Sequence, residues 1–187
     1  SEGKLTKMRH TIPPKDFYKK TRNELSKKIP KNGIAYFQSA DEVYRTGDQF
    51  FPFRQDANFF YLTGIEVPNC KLVIYPDKPM GKTSEILFIP RPDPKKEIWE
   101  GKMLSIEKAM EISGIETVYF VDNFKQIFTQ QCLKYTDSIS ICHHDFPERN
   151  KIGGTTYFVN EVREQFPGVG IHRLNRIMAE LRMVKYH

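Results

Sequence analysis

Cysteine is scarce in this sequence: Cys70, Cys132 and Cys142 stand far apart among 187 residues. Three thiols at such spacings exclude a disulfide framework and a C-x-x-C metal knuckle. They read as ordinary core residues of a protein kept in a reducing compartment. An N-x-S/T acceptor for glycosylation is also missing, and a cytoplasmic location is the expectation. Long apolar runs are lacking, since none approaches the roughly 18 residues that mark a membrane span. The opening SEGKLTKMRH has no apolar stretch of the kind a secretory signal carries. Low-complexity tracts and internal repeats are absent as well. The rest is near the globular average, 39% hydrophobic and 28% charged, which excludes collagen-like, mucin-like and wholly disordered chains. A chain of this length buries a core as one domain.

Positive charge is present but localised. The formal net charge is +6, yet residues 1–31 hold ten Lys/Arg against three Asp/Glu, and the remaining chain holds 19 against 20. The excess therefore belongs to an N-terminal segment. Pro13-Pro14 opens a helix there, with Phe17, Leu25 and Ile29 as sparse apolar positions among lysines. A solvated basic face is the plain reading. No aromatic-interleaved motif argues for nucleic acid, so neither a nucleic acid nor a membrane is expected as a partner, while attraction to an acidic partner stays open.

Short β-branched and aromatic runs follow at GIAYFQS (33–39), CKLVIYP (70–76) and SEILFIP (84–90). Helical and extended patterns then alternate. LSIEKAMEISG (104–114) predicts a helix with Ser105 as cap and Gly114 as stop. TVYFV (117–121) predicts a strand, and NFKQIFTQQCLK (123–134) a helix capped by Asp122 or Asn123. SISIC (138–142) is the next strand and TTYFVNEVREQF (155–166) the next helix, ended by Pro167-Gly168. This alternation indicates an α/β layer structure with some antiparallel pairing early in the chain. Leu174, Ile177, Met178, Leu181 and Val184 then make one apolar helical face, with no Gly or Pro to end it before His187. The expectation is a natural protein that continues past that point. Residues 1–31 form a basic segment and helix packed as part of the domain, 32–172 the α/β body, and 173–187 the start of a linker helix.

Several chemical motifs fail on inspection. GKTS at 81–84 has Pro76 where a phosphate-binding loop needs its first glycine, and a strand pattern follows instead of a helix. It reads as a turn. His143-His144-Asp145 follows a strand, but adjacent side chains on an extended backbone point to opposite faces, and no third ligand stands at a metal spacing. A polar loop is the better account. A G-x-S-x-G nucleophile elbow is missing as well.

Two segments are denser. RTGDQFFPFRQDANFFYLTG, residues 45–64, sets Arg54, Gln55 and Asp56 among Phe50, Phe51, Phe53, Phe59, Phe60 and Tyr61. Charges among aromatics must be paired or hydrogen-bonded if buried. A structural network locking the loop onto the core is favoured over a polar rim around an aromatic pocket. RPDPKKEIWEGK, residues 91–102, places the single Trp99 in a Pro-rich, charged loop after a strand. That tryptophan either packs back as an anchor or projects toward a ligand or partner.

Taken together, R-T-G-D-Q-F-F-P-F-R-Q-D-A-N-F-F-Y-L-T-G, then E-I-W-E-G-K at 97–102, and the closing E-L-R-M-V-K resemble the N-terminal domain of proline-specific aminopeptidases of the aminopeptidase P type, relatives of prolidase and creatinase. The resemblance runs from about residue 12 to the end; the stretch 143–172 matches no family string. It implies an α/β fold, a mixed sheet flanked by helices with a ribonuclease H-like motif. It also implies a two-domain enzyme whose C-terminal "pita-bread" domain, beyond His187, holds two divalent metal ions, usually manganese, on two Asp, one His and two Glu. In such an enzyme a metal-bridging hydroxide attacks the bond between any N-terminal residue and a following proline. The N-terminal domain then supports a homo-oligomer and narrows access for X-Pro peptides. By position, the resemblance assigns substrate binding to Trp99 and Asp48 and leaves Arg54 with the structural network. A competing reading is a peptidase-like binding or chaperone domain without catalysis.

Overall fold

The computed structural model describes residues 14–40, 55–77, 82–142 and 154–183. Among them, β1 (Gly33–Gln38), β2 (Lys71–Asp77), β3 (Lys82–Ile89), β4 (Val118–Phe120), β5 (Ser138–Ile141) and β6 (Gly170–Arg173) form one sheet in the order β4-β3-β2-β1-β5-β6. β1, β2 and β3 are an antiparallel meander, whereas β4 joins β3, β5 joins β1 and β6 joins β5 in parallel. The sheet is mixed, with its parallel pairs at both ends and its most apolar strands in the middle.

Residue alternation builds a core on each face. In β1, Ala35 and Phe37 point to one side and Ile34 and Tyr36 to the other, and all four are buried. The first side is covered by α1 (Pro14–Ser26), α2 (Ala57–Thr63), α4 (Ile106–Ser113) and α7 (Asn175–Met183), which contribute Leu25, Leu62, Ala109 and Met178. The second side is covered by α6 (Gly154–Gln165) and by a helical stretch that begins after β4. There Tyr36 stacks on Phe158 at 3.8 Å, and Phe124 meets Phe88 edge-on at 5.0 Å.

The expected helix over 123–134 is less regular than its sequence suggests. A 3₁₀ turn at Val121–Asn123 leads into α5 (Phe124–Ile127), then a π turn at Phe128–Cys132 and a final 3₁₀ turn at Leu133–Tyr135. Neither Asp122 nor Asn123 caps it by side chain. The Asp122 carboxylate is instead held by Arg91 at 2.7 Å. By contrast α4 starts and stops where its sequence says: Ser105 Oγ accepts from the Lys108 amide at 3.1 Å, and Gly114 takes a left-handed φ of 74°. The strand after GKTS begins at Lys82, so Lys82, Thr83 and Ser84 already belong to β3. β6 is an element the sequence does not announce, because Gly170–Arg173 is short and mostly exposed. It runs across the point where the sequence places the start of a linker helix, and α7 behind it buries Leu174, Met178 and Leu181 in the first core.

Two glycines carry different loads. Gly64 ends α2 with φ 70°, and a Cβ there would stand 2.3 Å from the Tyr18 ring. That ring is wedged edge-on between Phe17 and Phe60. Gly114 has the same left-handed backbone, but its added Cβ meets the Lys19 stem, which can swing away. The left-handed backbone alone costs an alanine about 1–2 kcal/mol. Gly114→Ala is expected to lose about that much and Gly64→Ala about 3 kcal/mol or more, because the wedged ring adds a clash. Urea unfolding of both variants checks the order.

Candidate functional site

Residues 41–54 lie outside the described residues, so Asp48, Arg54, Phe50, Phe51 and Phe53 have no structural account; the same holds for His143 and His144. The remainder of the aromatic segment is well defined, and it is a lock. The Gln55 side chain uses both ends of its amide: Oε1 accepts from the Ala40 and Asp56 amides at 2.8 and 2.9 Å, and Nε2 donates to the Ile65 and Val67 carbonyls at 3.1 Å each. An Asn or Gln amide can hardly do more. Asp56 then caps α2 by accepting from the Phe59 amide at 2.9 Å. The structural-network expectation holds for Gln55 and Asp56, with a neutral amide as its hub.

The aromatics of α2 bind elements together. Phe59 is fully buried. Tyr61 meets Phe17 of α1 edge-on at 5.6 Å and donates its hydroxyl to the Leu181 carbonyl of α7 at 3.0 Å. Sequence reading did not foresee α2 as a helix. The signals were present, with Asp56 as cap and Gly64 as stop, but the cluster of aromatics drew attention to side chains rather than to spacing.

Arg22 is the buried charge that the sequence conceals. It sits among exposed lysines in the chain, yet it is 1% exposed. On α1 it shares the inward face with Leu25, and the pleat puts Glu85 of β3 opposite Ile74 on that same side of the sheet. Arg22 donates from Nε and Nη2 to the two Glu85 oxygens at 2.9 and 3.1 Å, and from Nη1 to the Leu62 carbonyl at 2.8 Å. One side chain thus joins α1, α2 and β3. A bidentate fork of this kind requires arginine, not lysine.

Trp99 stands apart from all this packing. The expected Pro-rich loop is a helix, α3 (Pro94–Glu100), because Asp93 caps it through the Lys95 amide at 3.0 Å and Pro94 suits the first helical position. The helix is braced from its far end: Glu97 accepts from the Met103 amide at 3.3 Å, and the Met103 sulfur lies 3.2 Å from the Asp93 amide. Of the two sequence alternatives, Trp99 projects: it is 88% exposed and its neighbour Ile98 is 77% exposed. Two large apolar side chains are thus held outward on a braced turn.

Burial disfavours the thiolate form of all three cysteines. Cys70 and Cys132 are buried, and burial pushes each up to about 12. Cys142 reaches about 12 through burial first and the nearby Asp56 carboxylate second, against the pull of Arg182 and Asn58. Their ordinary value is 9.0, so the native state holds these protons more tightly than the unfolded state. Stability is then complete below pH 9 and falls as pH rises from about 9 toward 12. Burial of Tyr18 and Tyr61 adds to the loss with the same sign. Urea midpoints are expected to hold from pH 8 to about 9 and then to fall steadily toward pH 11.

Among the described residues, no group of three His, Cys, Asp or Glu could hold a metal ion, and no helix is long and apolar enough to cross a membrane. The described residues offer a braced apolar turn at Ile98–Trp99 and structural polar locks around Gln55 and Arg22. Comparison with known proteins identifies the family. Residues 18–140 match the family model described as "Aminopeptidase P, N-terminal domain". The chain belongs to that aminopeptidase P N-terminal domain family. It is 27% identical to the Xaa-Pro aminopeptidase of Haemophilus influenzae over 172 residues, covering 92% of this chain but 37% of that enzyme. A solved Bacillus anthracis structure of the aminopeptidase P class superposes with a TM-score of 0.77 at 28% identity, covering 90% of this chain and 40% of that one. Aminopeptidase P from Escherichia coli superposes with a TM-score of 0.76 at 22% identity over 92% of this chain and 39% of its own. The E. coli enzyme has also been solved zinc-substituted with product. The chain spans about two fifths of the length of these relatives. As an aminopeptidase P N-terminal domain it has the creatinase-like α/β architecture, a mixed sheet with flanking helices and the ribonuclease H-like strand order β3-β2-β1-β5-β6.

Proposed function

We infer that this chain is the non-catalytic N-terminal domain of a dinuclear-metal Xaa-Pro aminopeptidase, which removes the N-terminal residue from peptides with proline second. The observation that carries the reading is the partial coverage: nearly the whole chain aligns with relatives named for that activity, and only with about two fifths of them. The metal ligands would belong to a part of the parent outside this chain, where two divalent ions such as manganese would supply an activated water and Lewis-acid stabilisation of the developing oxyanion. Proline selection belongs there too, since a tertiary amide with fixed φ can be chosen by shape.

This domain's part is assembly and access. The exposed Ile98–Trp99 pair supports a role at a neighbouring subunit of a homo-oligomer, with Trp99 at the mouth of that neighbour's cleft and Asp48 assisting. Residues 173–187 lead into the catalytic domain, and the three unpaired thiols support a cytoplasmic location. The test is hydrolysis of a short X-Pro peptide by the parent protein and by the 187-residue chain, each supplied with manganese. The reading expects turnover by the parent alone. Turnover by the isolated chain, or none by the metal-loaded parent, contradicts it.

A further inference from the structure

The sequence contains a single Asn-Gly pair, Asn32-Gly33, at the turn between α1 and β1. The fold demands both residues. Asn32 holds a left-handed φ of 59°, which asparagine tolerates better than most side chains. Gly33 is buried, and a Cβ on it would stand 2.8 Å from the Pro30 carbonyl oxygen, a backbone atom that cannot swing aside. The pair also ties three strands together at one end of the sheet. The Asn32 carbonyl accepts from the Asp137 amide at 2.9 Å, and the Asp137 carbonyl accepts from the Gly170 amide at 3.0 Å. Gly33 pairs with Ser138 of β5, which pairs in turn with Gly170 of β6.

That dipeptide carries a chemistry of its own. The deprotonated amide nitrogen of a glycine can attack the side-chain Cγ of a preceding asparagine, because no Cβ hinders the approach. A C–N bond forms and the Cγ–Nδ2 bond breaks. Ammonia leaves with the proton that the glycine amide gave up, and a five-membered succinimide remains. Water then opens the ring at either carbonyl, giving aspartate or isoaspartate. The folded chain opposes the first step twice. The Gly33 amide hydrogen is committed to the Pro30 carbonyl at 2.9 Å. The Asn32 side-chain amide donates to Asp137 Oδ2 at 3.4 Å, and that carboxylate resists the negative charge that the attack builds on the Asn32 side-chain oxygen.

We propose that Asn32-Gly33 is a latent deamidation site, closed in the folded chain and modified when this end of β1 opens, after which the product prevents the same closure. Aspartate at position 32 sets a carboxylate against Asp137 where an amide donor stood. Isoaspartate adds a methylene to the backbone and breaks the register of Gly33 with Ser138. Either product weakens the seam that joins β1, β5 and β6, so an opening that ends in reaction is irreversible.

The test compares the 187-residue chain with a free peptide of residues 29–35 in the same mildly alkaline buffer. Digestion and mass spectrometry follow the replacement of NH2 by OH at Asn32 and separate the two products. Asn32 in the folded chain is expected to react at least about tenfold more slowly than in the peptide, because reaction waits for local opening. Urea sufficient to unfold the chain is expected to abolish that protection. Asn32→Asp, which mimics the first product, is expected to lower the urea midpoint. Adding Asp137→Asn is expected to restore most of the loss, since an amide again faces a carboxylate. A smaller ratio between peptide and folded chain, or protection that survives unfolding, overturns the proposal. So does an Asn32→Asp variant with the wild-type midpoint, or a double variant no better than the single one. None of these outcomes bears on the aminopeptidase reading, which the peptide-hydrolysis assay tests separately.

Discussion

Replacing Arg22 by alanine is expected to destabilise the domain by about 3–5 kcal/mol, the range for removing one partner of a buried charge pair. The cause is specific. Alanine leaves the Glu85 carboxylate, which is 32% exposed on the side-chain scale, without its fork. It also leaves the Leu62 carbonyl without its donor and opens a cavity between α1 and the sheet. A loss of that size is a large fraction of a typical domain's 5–15 kcal/mol. Because charge burial costs as much as it returns, the double replacement Arg22→Met with Glu85→Leu is expected to recover most of the loss. Urea denaturation of the wild type, the single and the double variant measures both. A single-variant loss under about 1 kcal/mol would mean that the pair is water-solvated in solution and that α1 is held by Leu25 and its neighbours alone.

Trp99→Ala is expected to do the opposite: leave stability alone and lower activity. With 88% of the residue exposed, its removal should shift domain stability by no more than about 0.5 kcal/mol. In the full-length protein, loss of an aromatic anchor worth about 2 kcal/mol lowers kcat/KM for a short X-Pro peptide roughly thirtyfold. Trp99→Phe should restore part of it, since a flat apolar ring remains. Unchanged turnover in Trp99→Ala would remove the access role and leave the projecting Ile98–Trp99 turn as a contact for some other partner. A fall in stability as well as activity would place Trp99 in the packing of the parent's own domains.

The contrast between these two residues also shows what a sequence can reveal. Elements with period and punctuation were legible: β1 to β5 fall where their apolar runs lie, and α4 is bounded by Ser105 and Gly114. Elements defined by few residues were not. α2 and α3 each have seven residues, too few for a helical period to stand out, although Asp56 and Asp93 cap them in the ordinary way. β6 carries no apolar alternation because it is an edge strand. Arg22 was hidden because its partner lies 63 residues away in sequence, across a sheet register that only pairing β2 with β3 reveals. For the site, the string at 45–64 carried the family, and its described half, Gln55 to Gly64, is the structural lock that the sequence favoured, with the Gln55 amide rather than a charge at its centre. Trp99 was singled out, and local sequence could not say whether it packed or projected. Exposure in the folded chain answered that question: the Trp99 side chain projects from α3 into solvent.

The most direct measurement is to read the gene beyond His187. The account predicts an open frame that encodes a second domain with two Asp, one His and two Glu in the order of a dinuclear metal site, with a full-length product that cleaves X-Pro peptides. A frame that ends at His187, or that continues without those five ligands, would contradict the aminopeptidase reading and turn the exposed Trp99 surface into the binding face of a non-catalytic protein.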